Sequence, residues 1–358
     1  MQQETSAKED DPSKASIIAL IIILLSVPCI VGILCAQRNE IQKKHVNHHK
    51  GHTLTPKNSI AFGNINEHLV GQFMKNLVTT GITMVQDYKN DLTAKSKTSI
   101  KDTPDFVTQL DILVQERNIS AISECFPDYG IIAEEKNLRK KSAPGCELYF
   151  VLDPIDGTKA LLRGQSHGIS TMVALVSGLK NRQVLAVCIG DIRSGDLYYF
   201  RPNAEKVLRY SHYRDIETLK GTPRAPFNET TALIVKDIEG FSPIFQTILK
   251  PVKYGGFIGN REQMSGSIGV LAARLWKREV GCLALRSRAY APWDIIPVMG
   301  ISEKLGFVFM SYDETSREFK ENRPKITKSI VREPTEWLVI HKTRVDQLNE
   351  LVQSISPN

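Results

Sequence analysis

The chain has 358 residues, of which 42% are hydrophobic and 24% charged, an ordinary globular balance with length enough for one large domain or two modest ones. A formal net charge of +7 favours anionic partners, but no aromatic residues are interleaved with Lys and Arg as a nucleic-acid module needs, so nucleic acid is not an expected partner. Six scattered cysteines (Cys29, Cys35, Cys125, Cys146, Cys188 and Cys282) form no CxxC pair, which argues against a zinc site or a disulfide scaffold and fits a reducing compartment.

In chain order, residues 1–16 form an acidic tail with Glu4, Glu9, Asp10 and Asp11. Residues 17–36 are an uncharged apolar run long enough, at about 1.5 Å per residue, to span a hydrocarbon core. Pro28 lies within it, which membrane helices tolerate. A cleaved signal peptide would carry a basic leader and a shorter run, so the expectation is one uncleaved N-terminal transmembrane helix. Lys8 and Lys14 precede the run, whereas Arg38, Lys43, Lys44, Lys50 and Lys57 follow it. The excess of positive charge after the run places the C-terminal side in the cytoplasm, as a single-pass membrane protein with a cytoplasmic globular domain. Asn118 and Asn228 head N-x-S/T triplets that would matter only on a luminal domain. Residues 37–58 are polar and rich in His and Lys; His45, His48, His49 and His52 read as part of a solvated tether rather than a metal site.

The globular part covers 59–358. Leu69, Phe73, Leu77 and Met84 recur at helical spacing within 64–89, and a second helix is predicted over 108–125. Short apolar runs predict strands at 129–133, 148–152, 169–176, 183–189, 197–200 and 232–235. Helices follow at 267–276 and 294–305, the latter stopped by Gly306. Alternation of these elements, with several strands adjacent, predicts a layered α/β fold with mixed sheets.

The chemistry concentrates in Asp153-Pro154-Ile155-Asp156-Gly157-Thr158, which follows the apolar LYFVL. Two carboxylates three residues apart around a proline turn can face one point, a suitable arrangement for a hard cation such as Mg²⁺ that wants oxygen ligands, and the Ile155 carbonyl can add another oxygen. Gly157 and Thr158 open a short helix ended by Gly164, and a helix N-terminus offers N–H groups to a phosphate. A structural turn with an Asp cap is the bland alternative. It is weakened by three further acidic positions: Glu134 with Glu135, Asp111 and Asp294. Each of these taken alone has an ordinary reading, as a helix cap for Asp294, a surface charge for Glu135 and a helix start for Asp111.

These motifs, an acidic residue after the Val107-Thr108 pair, Glu134-Glu135, DPIDGT and Trp293-Asp294 in that order, resemble the inositol monophosphatase family of Mg²⁺-dependent, lithium-sensitive phosphatases over roughly residues 60–310. The resemblance implies an αβαβα sandwich and a set of roles. Glu134, Asp153 and the Ile155 carbonyl would hold one metal; Asp153, Asp156 and Asp294 would hold a second. Asp111 with Thr158 would orient and deprotonate the attacking water, and the Gly157 and Thr158 amides would bind phosphate. Lys101 matches a lysine that marks a mobile metal loop, Glu135 is a weaker candidate, and Gly266-Ser267 resembles a pair that touches substrate.

Departures from the family pattern bear on substrate. Where inositol-selective relatives carry a hydroxyl-binding Glu, this chain has Ser287 between Arg286 and Arg288, two arginines that could meet a second anion or remain solvated. GTKALLRG also resembles a stretch of bisphosphate nucleotidases, and a glycine-rich loop usual in the family is absent near 200–215. The expected reaction is hydrolysis of a small phosphorylated metabolite, conventionally an inositol monophosphate. The alternatives are a 3′(2′),5′-bisphosphate nucleotidase and a catalytically silent membrane-tethered binding protein. The expected partners are that metabolite, the membrane, and a second copy of the chain in a homodimer.

Overall fold

The computed structural model describes residues 66–88, 94–97, 105–178, 182–211 and 214–355. The acidic tail, the apolar run at 17–36, the tether at 37–58 and Lys101 lie outside these residues. Among the described residues no helix is long and apolar enough to cross a membrane.

Helix α1 (Glu67–Tyr88) buries Val70, Phe73, Met74, Leu77, Val78, Ile82 and Val85, a stripe at 3- and 4-residue spacing. Leu69 and Met84, expected in that stripe, flank it half-buried. Strands β1 (Ala94–Lys97) and β2 (Asp105–Thr108) pair as an antiparallel hairpin. Helix α2 (Gln109–Cys125) starts at a capping box: the Asp111 amide donates to the Thr108 hydroxyl and the Asp111 carboxylate accepts from the Thr108 amide.

The first large sheet has eight strands: β3 (Gly130–Ala133), β4 (Arg139–Lys140), β5 (Leu148–Asp156), β6 (Ser170–Ser177), β7 (Val184–Asp191), β8 (Leu197–Phe200), β9 (Leu208–Ser211) and β10 (Arg214–Thr218). Their order is β10-β9-β8-β7-β6-β5-β3-β4, antiparallel throughout except for the parallel pair β3 and β5. Helix α3 (Thr158–Leu162) follows β5 directly. The second sheet has six strands: β11 (Thr231–Val235), β12 (Asn260–Met264), β13 (Cys282–Tyr290), β14 (Phe307–Asp313), β15 (Glu318–Glu321) and β16 (Val331–His341), in the order β12-β11-β13-β16-β14-β15. Here β12, β11 and β13 run parallel and the rest antiparallel. The remaining helices are α4 (Pro243–Ile248), α5 (Ile268–Trp276), α6 (Pro292–Lys304) and α7 (Val345–Ile355).

Three cores follow from this order. One packs α1 and α2 on the outer face of the first sheet, one fills the space between the sheets with α5 and α6, and one packs α4 and α7 on the far face of the second sheet. The layering is the expected αβαβα with two mixed sheets. Helix α6 is apolar nearly all round because it is buried between two sheets. Its C-terminus is closed by Gly306 at φ 84°, as its position after the apolar run predicts.

The proline segment corrects a sequence expectation. Asp153–Asp156 is not a turn after the strand but the last part of β5, whose pairing with β6 shifts register between Asp153 and Asp156. A proline has no N–H for the ladder, so a central strand tolerates it only at such an irregularity. The same irregularity re-aims the carboxylates at the strand's end.

Candidate active site

The carboxylates come from separate elements that end at one place. Glu134 follows β3, Asp153 and Asp156 end the parallel neighbour β5, and Asp294 sits in the first turn of α6. One ligand oxygen from each of Glu134, Asp153 and Asp294 lies within 4.8 Å of the other two. These residues share a cavity of about 350 Å³ with Asp156, Ile155, Gly157, Thr158 and Gly266. Asp156 lies outside the tight trio, and its Oδ2 accepts the Gly269 amide at 3.2 Å, at the start of α5. The structure thus brings the expected ligands Glu134, Asp153 and Asp294 together, with Asp156 on their flank.

Asp153 is 1% exposed, and its Oδ1 is buried with no hydrogen-bond partner. Burial, then the charges of Glu134, Asp156 and Asp294, push its carboxyl well above the usual carboxylate range. A buried, orphaned carboxylate oxygen among like charges is a local shortage of positive charge, which a cation relieves. The donors are all oxygen, with no His or Cys in the group, which suits a hard divalent cation such as Mg²⁺.

Asp111 joins from behind. Its Oδ2 accepts from the Thr108 amide at 2.8 Å, and its Oδ1 accepts the Thr158 hydroxyl at 3.0 Å. That hydroxyl also lies 3.1 Å from the Ile155 carbonyl. Burial raises the Asp111 carboxyl to about 6, opposed by the Thr108 hydrogen bonds and reinforced by Glu134. The helix-start reading and the functional one therefore coincide in one residue: Asp111 caps α2 with one oxygen and holds Thr158 with the other.

Two side chains brace the Glu134 turn. Gln115, one helical turn beyond Asp111 and buried, donates Nε2 to the Glu135 carbonyl at 2.9 Å and accepts the Glu135 amide at 2.8 Å. Arg139 donates Nη1 to the carbonyls of Ala133 (3.0 Å) and Leu138 (2.6 Å), Nη2 to Asn137 (2.6 Å), and Nε to the Lys328 carbonyl. Its guanidinium lies over the Trp293 ring, 4.9 Å from the centroid. Between these braces Lys136 and Asn137 hold φ of 57° and 48°, the left-handed region that a residue with a Cβ seldom adopts unaided. Glu135 is 4% exposed rather than the surface charge of its ordinary reading, and it lies outside the trio.

Several substrate candidates move. Gly157 (φ 94°) and Gly266 (φ 129°) both line the cavity. A Cβ on either would meet the Gly168 carbonyl, at 2.3 and 2.7 Å respectively, so the approach of these loops requires glycine. Ser267 does not face the cavity: it is fully buried, its amide donates to the Gly168 carbonyl at 2.8 Å, and its hydroxyl is shared between Ser170 (2.7 Å) and the Val270 amide (3.1 Å) as the cap of α5. That correction has a physical reason, since the residue's polar groups are needed to start the helix. Arg288 lines the cavity, whereas Arg286 lies in a smaller adjoining one and packs over the turn at Gly240.

Sequence reading missed Gln165, Lys159, Arg163 and Lys236, all on the cavity wall. Gln165 Oε1 is buried without a partner there. Lys159, Arg163 and Gln165 follow DPIDGT closely, and proximity to that motif was the available signal. Lys236 had none, because only the sheet order brings it near.

Comparison with known proteins identifies the family and the fold. The profile of the inositol monophosphatase family matches residues 67–340. The Nus factor SuhB of Pasteurella multocida is 30% identical over 139 residues, 37% of this chain and 50% of that protein, so the chain spans about half the length of this relative. The fold is that of SuhB from Bartonella henselae (14% identity, TM-score 0.60, 79% of this chain and 98% of the other). It is also that of an inositol monophosphatase from Anabaena (17% identity, TM-score 0.58, 82% and 98%). With the profile matching most of its length and the acidic residues converging, the chain belongs to the inositol monophosphatase family.

Proposed function

We propose that the protein is a Mg²⁺-dependent phosphomonoesterase acting on a small phosphorylated metabolite. The observation that carries this reading is the convergence of Glu134, Asp153 and Asp294, together with the buried Asp153 oxygen that has no hydrogen-bond partner. Glu134, Asp153, Asp294, the flanking Asp156 and the Ile155 carbonyl would hold the metal. When bound, Mg²⁺ neutralises phosphate charge, acidifies a water and stabilises the leaving alkoxide.

The chain's own residues supply proton handling and position. Thr158 donates its hydroxyl proton to Asp111 Oδ1, which leaves its oxygen lone pairs to accept a proton from a water in the cavity. Asp111, with a carboxyl near 6, accepts the relayed proton at a pH close to neutrality. Gly157 and Thr158, which line the cavity at the start of α3, would present backbone amides to the phosphate. A catalytically silent binding protein would have no use for a buried group of mutually repelling carboxylates, which costs stability without a cation.

The test is phosphate release with and without Mg²⁺ over inositol phosphates, sugar phosphates and nucleotides, alongside Asp153→Asn. Mg²⁺-dependent release that the variant loses supports the reading; equal release by the variant overturns it. We propose with it that residues 17–36 anchor the chain with this domain in the cytoplasm. Protease added to sealed vesicles should then spare the domain. Glycosylation at the exposed Asn228 would reverse the topology, whereas Asn118 is 2% exposed and no acceptor in the folded domain.

A further inference from the structure

The connection between β15 and β16, residues 322–330, leaves the second sheet and reaches the first. Its near end is fixed to the second half of the molecule. Arg323 donates to Glu303, in the last turn of α6, through Nε at 2.6 Å and Nη2 at 3.0 Å. The Lys325 amide donates to the Tyr290 hydroxyl at 3.3 Å, and Ile326 is buried between the sheets. Beyond Ile326 the Thr327 hydroxyl donates to the Ser329 carbonyl, closing a tight turn with Lys328 at its tip.

Both polar groups at that tip engage the first sheet. The Lys328 ammonium donates to the Tyr149 hydroxyl at 2.6 Å, and the Lys328 carbonyl accepts from Arg139 Nε. Tyr149 also accepts from the Ser142 hydroxyl at 2.9 Å, so its oxygen is held from two sides. Its ring has room because its partner on β3 is Gly130, where a Cβ would stand 2.1 Å from the ring. Tyr149 lies on β5 four residues before Asp153 and on the same face, about 13 Å back along the strand. The tip is thereby anchored to the strand that carries one expected metal ligand.

Arg139 leads to the other two. Its Nη1 and Nη2 serve the Glu134 turn, its plane covers the ring of Trp293, the neighbour of Asp294, and its Nε ties it to the second half of the molecule. Bonds on two edges of a guanidinium fix its plane. A continuous chain of contacts thus runs from Tyr149 through Lys328 and Arg139 to the supports of Glu134 and Asp294.

We propose that Lys328 is a positioning residue for the metal site: anchored by Tyr149, it orients Arg139 and so raises the affinity for a divalent cation that it does not touch. The inference rests on the phosphomonoesterase reading for what the carboxylates hold.

The experiment titrates the full chain with Mg²⁺ and with Mn²⁺ by calorimetry. Lys328→Met and Tyr149→Phe should each weaken binding about five- to tenfold, less than the 10- to 100-fold typical of removing a group that orients a ligand directly. The direction is diagnostic, because Lys328→Met deletes a positive charge, which by Coulomb's law alone would strengthen cation binding. Lys328→Arg keeps a charged donor for Tyr149 and should recover most of the affinity. In an Arg139→Ala background Lys328→Met should change affinity less than about twofold, since the route through Arg139 is already cut. Hydrogen exchange on the metal-free protein reads the same chain without a cation: the Asn137 amide, which donates to the Glu134 carbonyl at 2.9 Å, should exchange faster in Lys328→Met. Affinity unchanged in both Lys328→Met and Tyr149→Phe, even with a lowered urea midpoint, would overturn the proposal by confining these residues to the fold. Effects of Lys328→Met and Arg139→Ala that simply add would overturn it too. A wild type that binds neither cation would sink the metal reading; faster exchange at Asn137 would then still support the orienting chain, and unchanged exchange would overturn it.

Discussion

The two sheets contribute different charges to one cavity: the first side brings carboxylates and, through α3 and its C-cap, Lys159 and Arg163, whereas the second brings cations. The first supplies carboxylates from the ends of two neighbouring parallel strands, β3 and β5, and the second supplies cations from the ends of β11 and β13. On the first side Asp111 and Asp153 are buried, Glu134 is half-buried, and the group is mutually repelling and braced: Asp111 by its capping box, Glu134 by Gln115 and Arg139. On the second the cationic groups are half-buried. Buried like charges give large effects when altered, because each is coupled to its neighbours. Half-buried cations at a cavity mouth give effects of tenfold order, read as selectivity between substrates rather than as turnover itself.

The largest expected break is Asp153→Asn. It should remove Mg²⁺-dependent phosphate release by at least about a hundredfold, the scale of losing a central electrostatic contact. The metal-free protein should not lose stability, since the variant deletes a buried charge that burial and three carboxylates oppose. Phosphate release reads the first effect, and the thermal midpoint in EDTA reads the second. A midpoint that falls by several degrees would mean that Asp153 serves the fold rather than a cation.

Asp111→Asn comes next, with turnover expected to fall about 10²- to 10⁴-fold for loss of a proton acceptor. The same residue gives a pH test of the first sheet's strain. Its carboxyl is about 6 in the fold against an ordinary 3.8. Between those values the native state keeps a proton that the unfolded chain has released, so stability falls as pH rises through that window and is flat above it. The stability of the metal-free wild type relative to Asp111→Asn should decline by about 2 kcal/mol between pH 4 and 7. Urea unfolding at both pH values measures it, and a difference that rises with pH would contradict the burial argument.

A smaller effect should follow from loosening the braces without touching a carboxylate. Gln115→Ala and Arg139→Ala should each weaken Mg²⁺ or Mn²⁺ binding about 10- to 100-fold, the usual result of removing a group that orients a ligand. Calorimetric metal titration reads it, and Arg139→Lys should recover little, because an ammonium cannot serve four acceptors in the plane that the guanidinium does. Unchanged metal affinity in both alanine variants would confine them to the fold.

The same asymmetry governs what was legible in the sequence. DPIDGT puts two carboxylates, a carbonyl and a glycine within six residues, so the chemistry of the first sheet lies in one stretch of chain. Asp111, Asp294 and Glu135 of the Glu134-Glu135 pair each had an ordinary reading alone, and the set was recovered through the family's motif order. The sandwich was legible from apolar runs, but the lower half of the second sheet was not. β14, β15 and β16 carry polar residues such as Lys320 and Arg332 among the apolar ones, and β13 reads as charged loop in LRSRAY. Lys236 could not be found at all, since what brings it to Arg288 is the pairing of β11 with β13, fifty residues later in the chain. The bulge in β5 was hidden for a related reason: a proline reads as a stop until a neighbouring strand is seen to shift register around it.

The smallest expected effect separates two residues that look alike in sequence. Arg286 and Arg288 are two apart on β13, and in a regular strand they would share a face. The pairing of β13 with β16 shifts register between Leu285 and Arg288, which breaks that alternation. Arg288 turns to the carboxylates' cavity, whereas Arg286 lies against Gly240, where an added Cβ would stand 2.5 Å from its Cδ. Arg286→Met should therefore change the ratio of kcat/KM for a bisphosphate over its matching monophosphate less than about twofold, below the roughly tenfold expected for a lost charge-assisted contact. Its cost should appear instead as a modest loss of stability, from packing of the arginine stem over the turn. Assaying the ratio and the urea midpoint on one preparation distinguishes the two outcomes. A tenfold fall in the ratio with an unchanged midpoint would place Arg286 on the substrate, and would show that the second sheet presents its cations by strand position rather than through the bulge.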